Sequence, residues 1–156
     1  MVSFFRDVVN NQVFIISVTA WFIAQVIKVL LTLIFEKKLD ASRFVGSGGM
    51  PSSHSSFVTS LATAIGIVEG YDSDMFAMAL VLALVVMYDA ANVRRAVGKQ
   101  AKLLNVLVED IHKLFEDINQ HKKIYIEKRL KELIGHTPIE VLSGAVLGII
   151  VANLMI

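Results

Sequence analysis

Long apolar blocks alternate with shorter polar connections along this chain, and they predict four membrane-crossing helices. The blocks cover about residues 13–35, 52–68, 75–93 and 138–156. A helix needs about 20 residues to cross the hydrocarbon core, and only helices or closed barrels satisfy their backbone hydrogen bonds in lipid. We therefore expect an all-α integral membrane protein, with residues 1–156 forming one membrane domain. A soluble protein with buried helices is the alternative, but too little polar sequence remains to cover four such helices.

The charges of the connections predict an orientation. The connection between the first two blocks carries Lys37, Lys38 and Arg43, and residues 94–136 hold ten of the fifteen lysines and arginines. Four crossings place these two basic connections on the same face, which the positive-inside rule makes cytoplasmic. We expect a multi-pass protein of the plasma (inner) membrane with both termini outside.

The long third connection predicts a cytoplasmic helical hairpin over about residues 100–135. Its apolar residues recur at helical spacing: Leu104, Leu107, Ile111, Leu114 and Ile118. Gly135 is placed to end a second helix. The apolar stripe must be buried against something. Three partners are possible: the second helix of the hairpin, the lipid headgroup zone, or a second copy of the chain in a homo-oligomer.

The composition narrows the chemistry. Hydrophobic residues make up 55% of the chain and the mean hydropathy is +0.64, as expected for a protein whose main partner is the lipid bilayer. The absence of cysteine excludes disulfides, thiolate metal sites and a cysteine nucleophile. No cluster has the spacing of a metal site, so we expect no metal and no other cofactor. We expect no nucleic-acid partner either.

A serine-rich turn, "GSGGMPSSHSSF", opens the second apolar block. Ser52 or Ser53 can cap the second helix, which alone would explain both residues. The start of a helix beside the flexible Gly49 also offers free N–H groups to an anion. His54 would then lie in the first turn, where it could donate a proton to a bound group.

The stretch "GHTPIEV" opens the fourth block. Thr137, Pro138 and Glu140 have the spacing of a capping box, so Glu140 could serve only the start of the helix. It also follows His136 by four residues, which permits a contact between carboxylate and imidazole. Such a contact fixes the tautomer of a histidine and activates it as a nucleophile.

Four cations lie near the same membrane face: Lys28, Arg43, Arg94 and Arg95. The arginines could be interfacial anchors, whereas Lys28 lies roughly 13 Å inside the first helix. A charge at that depth needs a partner, for which Asp89 is the candidate. Two histidines, several cations and N–H donors on one face match the needs of phosphoryl transfer without a metal.

Three strings extend this interpretation: "GGMPSSHS", "YDAANVRRAVGKQA" and "LIGHTPIEVLSGAVLG". Together they resemble the divergent, short bacterial membrane branch of the type-2 phosphatidic acid phosphatase and vanadium haloperoxidase superfamily. The superfamily motif Pro-Ser-Gly-His is similar to the run from Pro51 to His54. The superfamily pattern of a histidine, three residues and an aspartate is similar to the run from His136 to Glu140, with glutamate for aspartate.

The resemblance implies roles for these residues. His136 would be the nucleophile that forms a phosphohistidine, and Glu140 would orient it. His54 would protonate the leaving alkoxide. The backbone and hydroxyls of Ser52 and Ser53 would hold phosphate oxygens.

The chain departs from the superfamily in its cations. Arg43 lacks the following proline and the lysine seven positions before it that the first motif contains, so Lys28 would substitute from inside its helix. Leu130 stands where the third motif has an arginine. Arg94 or Arg95, separated from His136 by the hairpin, would replace it.

The resemblance implies a metal-independent membrane phosphatase that hydrolyses a lipid phosphate monoester or diphosphate, such as a phospholipid or prenyl phosphate. The alternative is a non-catalytic membrane protein that binds lipid phosphate headgroups or acts as a scaffold through its hairpin. The soluble haloperoxidases of the superfamily are much larger, which disfavours halide oxidation. No inverted repeat or discontinuous helix indicates a transporter.

Overall fold

The computed structural model describes residues 2–36, 49–118, 130 and 135–156, and every regular element in these ranges is helical. The helices are α1 (Val2–Asn10), α2 (Gln12–Glu36), α3 (Ser53–Glu69), α4 (Asp74–Tyr88), α5 (Arg94–Ile118) and α6 (Pro138–Met155), and a π-helical segment (Asp89–Val93) joins α4 to α5. The all-α class expected from the hydrophobic pattern is confirmed.

Three helical stretches of the described residues are long and apolar enough to cross a membrane. They are Gln12–Ile34, Asp74–Ile111 and Pro138–Met155. The helix α3 coincides with the second expected crossing, but it has only 17 residues and many hydroxyl side chains. The count of four crossings is therefore not confirmed, although the membrane character of the chain is.

The helix α3 lies at the centre of the bundle, where it packs against α2, α4 and α6. Its hydroxyls have partners on the neighbouring helices: Ser56 donates to the carbonyl of Ala20 at 3.1 Å, and Thr59 to that of Ala145 at 3.1 Å. A Cβ at Gly148 of α6 would lie 2.2 Å from Oγ1 of Thr59. Small residues thus allow close approach, and hydroxyl bonds add to the packing.

The third expected crossing and the hairpin are not separate helices. The helical path continues from Asp74 through the π segment to Ile118, whereas the expected crossing ended at about residue 93 and the expected hairpin began at about residue 100. The stretch between them contains no proline, the residue that most strongly breaks a helix. The fall in hydropathy marks where the helix leaves the apolar zone and not where it ends.

The return half of the expected hairpin lies outside the described residues, apart from Leu130 and Gly135. The side-chain amide of Asn105 donates to the carbonyl of Leu130 at 2.9 Å, and the N–H of Leu130 donates to Oδ1 of Asn105 at 3.0 Å. At this point the chain has come back beside α5.

The amphipathic helix α1 was not predicted, since its nine residues are too few for a membrane crossing. It exposes Phe4 and Phe5. Asn11 ends it and starts α2, because its side chain accepts the N–H of Phe14 at 3.0 Å.

Candidate active site

The first turns of α3 and α6 meet at one end of the bundle. The N–H of Ser52 donates to the carbonyl of Glu140 at 2.9 Å. A Cβ at Gly144 would lie 2.2 Å from the carbonyl oxygen of Ser52. The hydrogen bond and the close approach hold the serine-rich turn and the histidine-bearing turn at a fixed separation.

The backbone of His136 is docked on the π segment. Its N–H donates to the carbonyl of Ala90 at 3.0 Å. The preceding Gly135 has φ +102°, and a Cβ there would lie 2.4 Å from the backbone nitrogen of Arg95. Only glycine fits both this conformation and this contact. His136 is consequently buried, with 2% of its surface exposed.

Glu140 both caps the start of α6 and contacts His136. It completes the capping box, since Oε2 accepts the N–H of Thr137 at 2.9 Å and the Glu140 N–H donates to Oγ1 of Thr137 at 3.4 Å. The same Oε2 lies 3.1 Å from Nδ1 of His136. A carboxylate can only accept, so Nδ1 carries the proton and Nε2 keeps its lone pair. This Nε2 is buried and has no hydrogen-bond partner among the described residues.

Burial lowers the pKa of His136 below its usual value. The hydrogen bond and the charge of Glu140 act in the opposite direction, while Lys28 and Arg94 lower the pKa further. The net effect favours a neutral imidazole near neutral pH. A nucleophilic histidine needs that protonation state.

His54 faces His136. The two ring centres are 6.3 Å apart and the ring planes are inclined at 60°. The two imidazoles therefore lie beside each other at one end of the bundle, as the resemblance implies for a nucleophile and its proton donor.

The start of α3 retains donors for an anion. Ser52 is the N-cap, and its Oγ accepts from Ser55, through the N–H at 3.3 Å and the hydroxyl at 3.0 Å. The N–H groups of Ser53 and His54 have no acceptor among the described residues. They point along the positive end of the helix dipole. Gly49, with φ +89°, lies in the turn that leads to this helix start.

Arg94 is held at this end of the bundle by the π segment. Its Nε donates to Oδ2 of Asp89, five residues earlier, at 2.6 Å. A π turn pairs residues five apart, which brings these two side chains to one face of the helix. Arg94 and Lys28 both lie within electrostatic range of His54 and of His136.

Lys28 is buried, with 1% of its surface exposed, and its Nζ donates to Oε1 of Gln25 at 2.9 Å. The expected partner, Asp89, is instead paired with Arg94. Arg95 has an exposed side chain and supplies its backbone to the contact with Gly135. Arg43, the remaining candidate cation, lies outside the described residues.

Comparison with known proteins decides the family. The model described as "Divergent PAP2 family" matches residues 9–151. The chain belongs to the divergent PAP2 family. It is also similar to the uncharacterized membrane protein YuiD of Bacillus subtilis (strain 168), with 41% identity over 147 residues, 92% of this chain and 93% of that protein. No solved structure matches the chain. The family suggested by the three strings is thus confirmed.

Two features of this divergent PAP2 family member were not predicted from its sequence. One is the carbonyl of Ala90, which positions the nucleophile candidate, and the other is the π segment that supplies it. The signal for the second is weak: an aspartate and an arginine five residues apart, a spacing that an ordinary α-helix does not pair.

Proposed function

We propose that this divergent PAP2 family member is a membrane phosphatase that hydrolyses a lipid phosphate monoester or diphosphate. One observation carries the proposal: Nε2 of His136 is buried and without a partner among the described residues, while Nδ1 is fixed by Glu140. A buried nitrogen with a lone pair and no partner is costly in a structural histidine. The same arrangement is what a nucleophile requires.

In the first step, the lone pair on Nε2 of His136 attacks phosphorus and the bond from phosphorus to the lipid oxygen breaks. The step requires a proton on each ring nitrogen of His54; His54 gives one of them to that oxygen, and the lipid alcohol leaves. Glu140 stabilises the positive charge that develops on the His136 ring. The product on the enzyme is a phosphohistidine.

In the second step, neutral His54 takes a proton from water as the water oxygen attacks phosphorus. The bond between phosphorus and Nε2 breaks, inorganic phosphate forms, and His136 regains its lone pair. His136 carries the phosphoryl group between the two steps, and His54 acts as the acid in the first and as the base in the second.

The phosphoryl oxygens carry the charge that must be stabilised in both steps. The N–H groups of Ser53 and His54 and the guanidinium of Arg94 lie on the side of His54, and Lys28 adds its charge from α2. Fixed donors and cations at a site with little water stabilise such charge strongly. The hydroxyls of Ser52 and Ser53 add further donors.

The site lies at the end of the apolar helices, at the depth where a lipid presents its phosphate. We propose that this end faces the cytoplasm, on the basis of the basic connections.

The test is phosphate release from phosphatidic acid, phosphatidylglycerol phosphate and prenyl phosphates by purified protein in detergent with a chelator present. Release from at least one of these, inhibited by vanadate, is expected. His136→Ala and His54→Ala should each lower the rate about a hundredfold or more, and Thr19→Ala should not. Headgroup binding without turnover, unchanged in His136→Ala, would identify a binding protein instead.

A further inference from the structure

A groove of about 320 Å³ runs between α3, α4 and α6. Ala62 lines it from α3, Leu80 and Ala83 from α4, and Ile149 from α6. Leu80 and Ile149 are 40% and 45% exposed, so the rim of the groove opens to the surroundings of the helices. In a membrane those surroundings are hydrocarbon.

The near end of the groove lies beside the candidate active site. Met87, two residues before Asp89, belongs to its lining. So does Thr59, which follows His54 by five residues, or roughly 7 Å along the helix. The groove therefore begins about one and a half helical turns from the place where the phosphate would be held.

Tyr71 and Phe76 form the far end of the groove, which we call its floor. The rings of Tyr71 and Phe76 meet edge to face, with their centres 5.1 Å apart. They pack over Gly66, where a Cβ would lie 2.5 Å from Cε1 of Tyr71. Phe76 and Met87 are separated by roughly 16 Å along α4, about half the thickness of the hydrocarbon core.

We propose that this groove binds one hydrocarbon chain of the lipid phosphate substrate and that its floor limits the length of the chain. The inference rests on the proposed function, because the phosphate at the histidines fixes where the attached chain begins. From that point the groove offers a path lined mainly by apolar side chains, which ends at the rings of Tyr71 and Phe76. An unattached bilayer lipid would fill the groove without regard to its headgroup, and the experiments separate the two occupants.

Filling the groove from its rim tests the path. Leu80→Trp should lower the ratio of kcat/KM for dodecyl phosphate to that for butyl phosphate by roughly tenfold or more, since the loss of methylene contacts on this scale changes discrimination by such factors. Leu84→Trp, the same change at a 55% exposed position of α4 outside the groove, is the control. An equal ratio in both variants would overturn the proposal.

Opening the floor tests the limit on length. Phe76→Ala should move the chain length of highest kcat/KM toward longer alkyl phosphates. Phe22→Ala, at a 57% exposed position of α2, should leave the preferred length where it is. An unmoved preference in Phe76→Ala would contradict the role of the floor.

A labelling experiment is independent of turnover. A long-chain alkylphosphonate with a diazirine at the chain end cannot be hydrolysed, and it should label the floor residues Tyr71 and Phe76. Dodecyl phosphate should compete and dodecanol should not. Labels on Leu84 or Val85 of the outer surface, or equal competition by dodecanol, would overturn the proposal that the groove binds the substrate chain. Floor labelling without phosphate release from any substrate would reject the proposed function alone.

Discussion

At the scale of single residues, the candidate site depends on side chains that do two things at once. Glu140 closes the start of α6 and orients His136 through the same oxygen. Ser52 caps α3 through its hydroxyl and ties α3 to α6 through its N–H. A role in capping a helix therefore does not exclude a role in the candidate site for these residues.

Glu140→Gln should change the pH dependence of turnover. In the proposed mechanism the neutral form of His136 attacks phosphorus, so kcat/KM should fall as pH drops through a pKa that burial holds below the usual value. Glu140 raises that pKa, and its replacement should move the acid limb of the profile to lower pH. The maximal rate should fall roughly a hundredfold, because an amide no longer favours the reactive tautomer. Glu69→Gln, at the other end of α3, is the control, and an unmoved acid limb would contradict the role of Glu140.

Lys28→Met should lower both stability and substrate affinity. It leaves the buried Oε1 of Gln25 without this donor, and removing one partner of a buried polar pair is destabilising, so thermal unfolding should occur at a lower temperature. The KM for the lipid phosphate should rise roughly tenfold if the ammonium helps to hold the phosphate. Lys102→Met, at an exposed position of α5, should change neither. A destabilised Lys28→Met with unchanged KM would assign Lys28 a structural role.

The grouping of His54, His136 and Glu140 could be predicted from the sequence, because each lies within or beside the start of α3 or α6, and the expected crossings put both starts on the same face. The hydrogen bond of Lys28 to Gln25, one turn earlier on the same helix, could not be predicted. Whether Lys28 meets Gln25 or Asp89 depends on how α2 is rotated against α4. Hydropathy carries no information on that rotation.

At the scale of the elements, the π segment and the glycines of α6 decide how the helix ends meet. The hydrophobic pattern located the apolar stretches, since it reports burial in lipid directly. It did not predict the continuation of α4 into α5 or the π segment. Both depend on contacts made across the fold, above all the bond from His136 to the carbonyl of Ala90.

Gly144→Ala should destabilise the protein and disturb the site. The added methyl would lie 2.2 Å from the carbonyl oxygen of Ser52, so α6 must move away from α3. Overpacking of this kind costs about 1–3 kcal/mol, and thermal unfolding in detergent measures it. Val146→Ile adds a methyl at an exposed position of the same helix as a control. Equal unfolding temperatures for both variants would contradict the close packing of Gly144 against Ser52.

At the scale of the whole molecule, the helix ends that carry the candidate site lie together, and the loop between α3 and α4 lies at the other end. If the basic connections are cytoplasmic, the site is cytoplasmic too. The chain has no cysteine, so one introduced cysteine reports its own side of the membrane.

Lys99→Cys and Asp72→Cys test this orientation. In intact cells a membrane-impermeant maleimide should label Asp72→Cys, whereas Lys99→Cys should be labelled only after lysis. The reverse pattern would place the site on the outer face and leave its chemistry unchanged.

We propose that Nε2 of His136 accepts the phosphoryl group. Rapid quenching of the enzyme with a radiolabelled lipid phosphate tests it most directly. We expect a transient phosphoenzyme, stable in base and labile in acid, that maps to His136 and is absent from His136→Ala. Steady phosphate release by His136→Ala at the rate of the unaltered protein would contradict it.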